Sequence, residues 1–193
     1  MISRLETLEK KVDELYTSGN KNRSDWADWL YAGHVKLVAK KAGELARRFG
    51  VKEDLAVAAA LLHDIADAVM PRRDGNHDVE SAKIARTLLK EAGFSEKETA
   101  VVVDDALKYH SCRNGEAPMS LEGKVMASAD GAVHLMSDFY DKAPEFLKDE
   151  MSDAEIRVWS RAKIERDFRN KIFFDEVRND ARLTYERLKA RFQ

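Results

Sequence analysis

The chain has 193 residues, of which 44% are hydrophobic and 35% are charged, with nine glycines and three prolines. This composition excludes a disordered chain, a collagen-like chain and a loop-rich disulfide scaffold. The formal net charge of −2 gives no overall attraction to nucleic acid, and we expect no nucleic-acid partner. The longest apolar run, Leu55–Leu62, is too short to span a membrane, and we expect no membrane partner.

The spacing of apolar residues predicts helices along almost the whole chain. An N-terminal helix should end before Gly19. Further helices are expected at about residues 25–30, 33–49, 53–64, 78–91, 96–110 and 121–140, with one or two charged helices from about residue 153 to the end. The fourth helix contains the run Leu55–Leu62, is apolar on all sides and should therefore be the buried central helix.

Several helix ends have recognisable local signals. Ser95 and Ser152 are each followed three residues later by a glutamate, which predicts capping boxes. Ser120 should cap the helix that follows it, and Gly50 should close the third helix in a left-handed conformation. Pro144 is expected to interrupt the helical structure. We predict one all-α domain over residues 1–193, with the terminal helices packed on a central bundle and the charged C-terminal helices forming a solvated face.

The single cysteine, Cys112, cannot form an internal disulfide, and the N-terminus has no apolar stretch of signal-peptide type. We therefore expect a cytoplasmic protein. Trp26 and Trp29 are spaced as on one helical face, which favours packing residues over a wall that stacks against a base.

Four of the five histidines stand at positions where they could meet. His63 and Asp64 end the most apolar helix, where burial is costly unless both are paired or bound to a metal. His34 opens one helix, His77 precedes another and His110 closes a third. Such positions can converge at one end of a helical bundle. Imidazole and carboxylate are the usual protein ligands of first-row divalent metals.

The sequence around these residues resembles the HD-domain metal-dependent phosphohydrolases. It reads Gly33-His34-Val35, then Ala60-Leu61-Leu62-His63-Asp64-Ile65, then Ser128-Ala129-Asp130-Gly131, with His34 placed 29 residues before His63. The resemblance covers about residues 30–140 and implies a single-domain helical bundle of the HD type. It also implies hydrolysis of a small phosphate ester or anhydride, a nucleotide in this case, by attack of metal-bound hydroxide.

Two further histidines give the five-part pattern H…HD…H…H…D that some branches of the family share. They are His77 and His110, and the stretch from His110 to Asp130 resembles the nucleotide pyrophosphohydrolase-like branch. The layout is also similar to the HD-type dinucleoside tetraphosphatases. Val133 stands where the first branch usually has a second aspartate.

The resemblance implies a specific ligand set and two divalent metals per chain. The first metal would be bound by His34, His63, Asp64 and Asp130, and the second by His77 and His110, with Asp64 bridging the two. Fe²⁺, Mn²⁺, Co²⁺ and Ni²⁺ all suit such nitrogen and oxygen ligands, and the sequence does not distinguish them.

Residues near these ligands are candidates for catalysis and substrate binding. Asp67 lies three residues after Asp64. In nucleotidase-like members of the family, a carboxylate at this position works as general acid or base. The alternative is that Asp67 is a solvated aspartate at the end of the helix. Arg72 and Arg73 are the predicted phosphate contacts, because arginine binds phosphate through two hydrogen bonds. His134 is four residues after Asp130 and is read as structural in preference to a substrate contact.

Two other functions remain open from sequence. A few HD-domain proteins use a di-iron pair with this five-part ligand set as oxygenases, and metal identity with an oxygen requirement would separate them from hydrolases. A non-catalytic regulatory domain that binds a ligand is the third reading, and the intact ligand pattern argues against it. The sequence also leaves a homodimer open.

Overall fold

Helices account for the regular secondary structure in the computed structural model, which describes residues 2–193, and no strand occurs in that range. The nine helices are α1 (Arg4–Thr17), α2 (Ala27–Leu30, Tyr31–Val35 and Lys36–Phe49 in one continuous rod), α3 (Glu53–Leu62), α4 (His77–Glu91), α5 (Glu96–Ala100 and Val101–Leu107), α6 (Leu121–Met136), α7 (Phe139–Leu147), α8 (Asp153–Arg166 and Asp167–Lys171) and α9 (Asp175–Arg191). The second segments of α2, α5 and α8 are π-helical. The predicted all-α class is confirmed.

The local signals for helix ends are confirmed at four sites. Ser95 and Ser152 form complete capping boxes with the glutamates three residues later. Ser120 Oγ accepts a hydrogen bond of 3.0 Å from the backbone N–H of Gly123. Gly50 ends α2 with φ of 68°, a conformation that an L side chain would strain.

The apolar helix α3 is at the centre of the bundle, as predicted. Seven of its ten residues are buried, and it packs between α2 and α6, with α1 and α5 also against it. Burial on all sides explains why its sequence has no polar stripe. Because the helix ends at Leu62, His63 and Asp64 follow inside the protein, where both are buried.

Three predicted boundaries are wrong. The helices expected at 25–30 and 33–49 are one rod, joined by the π-helical turn Tyr31–Val35. Gly33 does not begin a helix; a Cβ there would lie 2.8 Å from Nε1 of Trp29, so close packing accounts for the glycine. Helix α6 stops at Met136 because Ser137 is extended, and Pro144 lies inside α7 rather than at a break.

The prediction of a solvated C-terminal face is wrong for one side of α8. This side buries Ile156, Lys163, Ile164, Asp167 and Lys171, and its π-helical end packs on α6. The alternation of charges looked like a solvent-exposed helix, but tertiary packing covers it. Within residues 2–193, no helix combines the length and the apolar character that crossing a bilayer requires.

Candidate metal centre

Three helices bring four ligand-type side chains together at the middle of the bundle. His34 comes from the π-helical turn of α2, His63 and Asp64 follow the end of α3, and Asp130 lies within α6. All four are buried, with 1% of His34 and 1% of Asp130 exposed. A π-helical turn often marks a functional site, and here it lies where His34 meets the other three.

The distances between the ligand atoms suit a metal ion. His34 Nε2 lies 3.3 Å from His63 Nε2 and 3.1 Å from Asp130 Oδ1, and His63 Nε2 lies 3.4 Å from Asp64 Oδ2. Metal–ligand bonds of about 2.1 Å place neighbouring ligand atoms roughly 3.0–3.4 Å apart in octahedral or tetrahedral coordination. His63 Nε2 and Asp130 Oδ1 are 4.0 Å apart, a spacing that fits ligands further apart on the same ion.

In two of the histidines, Nδ1 forms a hydrogen bond and Nε2 is left available to bind a metal. His63 Nδ1 lies 2.7 Å from the carbonyl of Ala60, and His110 Nδ1 lies 2.6 Å from the carbonyl of Leu107. Each Nδ1 therefore donates its proton to that carbonyl, and each Nε2 carries a lone pair. Asp130 Oδ1 is buried without a hydrogen-bond partner. An unpartnered carboxylate oxygen facing imidazole nitrogens fits a cation between them.

The charge states of the ligands also suit a cation. Burial lowers the pKa of His34, which keeps its imidazole neutral. Burial raises the pKa of Asp130, but His134 and Lys171 outweigh it, and the pKa falls well below its usual value. The pKa of Asp64 is likewise well below its usual value, because Arg72 and His63 outweigh the effect of burial. Neutral imidazoles and ionised carboxylates are the metal-binding forms.

Arg72 is held between the carboxylates of Asp64 and Asp67. Its Nη1 lies 2.8 Å from Asp64 Oδ2 and also pairs with Asp67 Oδ2. The guanidinium lies over the ring of Trp26, 5.4 Å from its centre. Asp67 is fully buried, which excludes the solvated helix-end reading. It is carried by the short 3₁₀ turn Ile65–Ala68 rather than by a continuation of α3.

The structure does not gather His77 and His110 into the compact cluster. Among residues 2–193, the three-ligand groups whose atoms all lie within 4.8 Å are His34, His63, Asp64 and His34, Asp130, His134. His77 Nε2 lies 3.3 Å from Asp67 Oδ2. Burial lowers the pKa of His77, but the carboxylates of Asp67 and Asp78 outweigh this and raise the pKa to about 9. The pKa of His110 falls to about 4 through burial and the nearby Lys171.

Two cavities meet at Asp64, Arg72 and His110. One of about 540 Å³ is also lined by His63, His77 and Arg113. The other, of about 690 Å³, reaches Asp130 and is lined by the aromatic residues Trp26, Phe139, Phe146 and Trp159 and by the cations Arg23, Arg72, Arg73, Arg113, Lys163, Arg166 and Lys171. Arg73 lies at the rim of this cavity, where it pairs with Glu150.

Sequence reasoning missed a buried group of charged residues beside the cluster. His134 stacks on His34 with ring centres 4.5 Å apart, and its Nδ1 lies 3.2 Å from Lys163 Nζ. Lys163 Nζ donates to Asp167 at 3.0 Å, and Lys171 Nζ pairs with Asp130. The four-residue spacing of Lys163, Asp167 and Lys171 places them on one face of α8. This spacing is the feature of the sequence from which the group could have been predicted.

Comparisons with known proteins agree with this geometry. The HD domain pattern matches residues 31–132, more than half of the chain, and the protein belongs to the HD domain family. A curated protein named Ribonuclease Y, from Petrotoga mobilis (strain DSM 10674 / SJ95), is 34% identical over 97 residues. The match covers 50% of this chain and 17% of that protein, so the chain spans about a sixth of the relative's length. No solved structure matches the chain.

Membership in the HD family supports a metal-dependent hydrolase in general. HD domains bind divalent metals, and the buried histidine and aspartate cluster described above is of the kind that holds one.

Proposed function

We propose that this protein is a metal-dependent phosphohydrolase that acts on a small phosphate ester or anhydride, with a nucleotide as its substrate. The observation that carries the proposal is the buried cluster of His34, His63, Asp64 and Asp130 beside a cavity lined by cations. Phosphate substrates are anions, and a site for them needs both a metal and fixed positive charge.

The four clustered residues would hold the first metal, and Fe²⁺, Mn²⁺, Co²⁺ or Ni²⁺ would all suit them. When bound, such a metal activates water at neutral pH and offsets the negative charge that develops on the phosphate. A second metal held by His77 and His110, with Asp64 bridging, remains a prediction. Both histidines line the same cavity as Asp64, which supports it.

Arg72 is the chain's own phosphate clamp in this proposal. Asp64 and Asp67 fix its guanidinium from one side, and the ring of Trp26 lies against its face. A guanidinium held in this way is oriented before the substrate arrives, so less entropy is lost when it binds two phosphate oxygens. Arg73 is the weaker candidate, because its partner Glu150 already neutralises it at the cavity rim.

Asp67 is proposed to move or hold a proton during the reaction. Its Oδ2 lies 3.3 Å from Nε2 of His77, and its other neighbours are Arg72 and Trp26 Nε1 at 3.4 Å. His77 lines the cavity. Asp67 therefore lies next to two residues that line the cavity, His77 and Arg72, which supports a role in proton transfer at that site.

The larger cavity supports a nucleotide as the substrate. The cavity is lined by aromatic side chains, among them Phe146 and Trp159, and also by Arg113 and Arg166. Arg166 Nε is buried without a hydrogen-bond partner in the part of the chain that the structure describes. Aromatic faces stack on bases and arginines bind phosphates, so the two kinds of lining residue suit the two ends of a nucleotide.

The relative named Ribonuclease Y supports a second candidate, hydrolysis of a phosphodiester in RNA. A substrate panel separates the two: nucleoside mono-, di- and triphosphates, a simple phosphodiester and a short single-stranded RNA, each with Mn²⁺, Co²⁺, Ni²⁺ or, without oxygen, Fe²⁺. We expect turnover of a nucleotide and none of the RNA. Preferred cleavage of RNA would overturn the nucleotide assignment, and no hydrolysis of any substrate with a metal-loaded protein would overturn the proposal.

A matched pair of variants sharpens the same experiment. Arg166→Gln should raise KM for the nucleotide by about tenfold or more, because a phosphate contact is lost. Arg169→Gln, three residues further along α8, is the control, since Arg169 is exposed and pairs with Glu165. Equal KM values for both variants and the wild type would remove Arg166 from the substrate site.

A further inference from the structure

Lys171 lies in α8, beyond the segment that matches the HD family. Only 3% of Lys171 is exposed, and its Nζ pairs with Oδ2 of Asp130. Burying an ammonium group carries a large desolvation cost unless it is paired. Here the partner of the buried ammonium group is Asp130, one of the four clustered residues.

The end of α8 is fitted closely to the part of α6 that carries Asp130. Ser128 Oγ donates to the carbonyl of Lys171 at 3.2 Å and accepts from the N–H of Phe173 at 2.9 Å. At Gly131, a Cβ would lie 2.8 Å from the backbone oxygen of Asp167. Ser128 and Gly131, which lie on either side of Asp130 in α6, therefore pack against the turn that carries Lys171.

A second group of contacts, made by Asp167, also holds this π-helical turn in place. Asp167 accepts hydrogen bonds from Tyr140 Oη at 2.7 Å and from Lys163 Nζ at 3.0 Å. His134 Nδ1 lies 3.3 Å from Asp167 Oδ2. Because Asp167 and Lys171 share the π-helical turn, these contacts restrict where Lys171 can lie.

The two oxygens of Asp130 have different surroundings. Oδ2 is occupied by Lys171, while Oδ1 has no hydrogen-bond partner and lies 3.1 Å from His34 Nε2, 3.3 Å from His134 Nδ1 and 4.0 Å from His63 Nε2. Lys171 thus leaves a single oxygen of Asp130 for a cation. A carboxylate fixed by a partner on one oxygen binds metal through the other in a defined orientation.

We infer that Lys171 is a positioning residue that fixes Asp130 as a one-oxygen metal ligand, so that α8 completes the metal centre. The inference rests on the proposed function, because it takes Asp130 to be a ligand.

The test is a Co²⁺ titration of the full chain, followed by visible absorption. Lys171→Met should bind Co²⁺ roughly 10–100-fold more weakly, the usual cost of losing a partner that orients a ligand. Its visible spectrum should also change, because the freed carboxylate can offer both oxygens. Lys142→Met is the control, since Lys142 is on α7 with its side chain 40% exposed, and it should match the wild type in affinity and spectrum.

A double-mutant cycle separates positioning from general stability. In an Asp130→Asn background, Lys171→Met should change the Co²⁺ affinity by less than about twofold, because Lys171 acts only through Asp130. If Lys171→Met does not fold, Ser128→Ala replaces it; loss of its bridge to residues 171 and 173 should weaken Co²⁺ binding in the same direction.

Three outcomes would contradict the inference. Lys171→Met, or Ser128→Ala in its place, could bind Co²⁺ with wild-type affinity and spectrum. Lys171→Met could instead raise only KM for substrate, which would make Lys171 a substrate contact. If Asp130→Asn alone binds Co²⁺ as the wild type does, then Asp130 is no ligand and the proposed function fails with the inference; the first two outcomes leave the proposed function standing.

Discussion

Asp64→Asn tests whether Asp64 is a metal ligand, because it should weaken metal binding and leave the fold intact. Asp64 Oδ2 lies 3.4 Å from His63 Nε2 and 2.8 Å from Arg72 Nη1. The substitution removes a charged ligand but keeps the shape of the side chain. Arg72 retains Asp67 as its partner, so the metal-free variant should fold and should not leave the Arg72 guanidinium unpaired.

The size of the effect follows from linkage between metal binding and folding. At a free metal concentration 100 times Kd, binding stabilises the folded state by about 2.7 kcal/mol. For a domain of this length, each kcal/mol raises Tm by roughly 2–4 °C, so the wild type should gain roughly 5–11 °C. If losing the Asp64 charge weakens binding about 100-fold, the gain at the same concentration falls to about 0.4 kcal/mol, or roughly 1–2 °C.

Thermal unfolding followed by circular dichroism, with Mn²⁺ and with chelator, measures both gains. Asp180→Asn is the matched control, because Asp180 is exposed on α9 with 57% of its side chain accessible, and it should keep the full gain. A gain in Asp64→Asn equal to that of the wild type would refute the assignment of Asp64 as a ligand.

Three other outcomes are expected. Asp67→Asn should lower kcat by about 10²–10⁴-fold, as expected for a lost general acid or base, with metal content unchanged; unchanged kcat would contradict its role. His77→Ala or His110→Ala should cost one of two metals by elemental analysis, and one metal per chain in the replete wild type would exclude the two-metal prediction. The hydrogen bond from Arg4 lowers the pKa of Glu98 from 4.5 to about 2, so its stabilising contribution is complete above pH 4.5 and lost as the pH falls toward 2. The Tm difference between wild type and Glu98→Gln should therefore shrink over that interval, and a constant difference would contradict this.

Local sequence signals predicted several helix ends and the buried helix that precedes His63 and Asp64. Capping boxes depend on residues three apart, so Ser95 and Ser152 could be recognised without tertiary information. The apolar run of α3 identified the buried helix that ends at His63 and Asp64. Both predictions rest on interactions within one short segment.

Predictions that depend on packing between distant segments did less well. Lys163, Asp167 and Lys171 have the four-residue spacing of surface ion pairs, and packing against α6 and α7 buries them. The glycine at position 33 looked like a helix boundary, but it accommodates the indole of Trp29. The burial of Asp67 also depends on distant partners, and the periodicity of its own segment gave no sign of it.

Metal removal and reloading tests the central claim most directly. The full chain would be stripped with chelator, assayed on the nucleotide it hydrolyses best, reloaded with Mn²⁺ and assayed again, with elemental analysis at each stage. The account predicts that hydrolysis disappears with the metal and returns with it in the wild type. In His63→Ala neither metal content nor hydrolysis should return. Hydrolysis that continues in metal-free protein, or that returns fully in His63→Ala, would contradict the account.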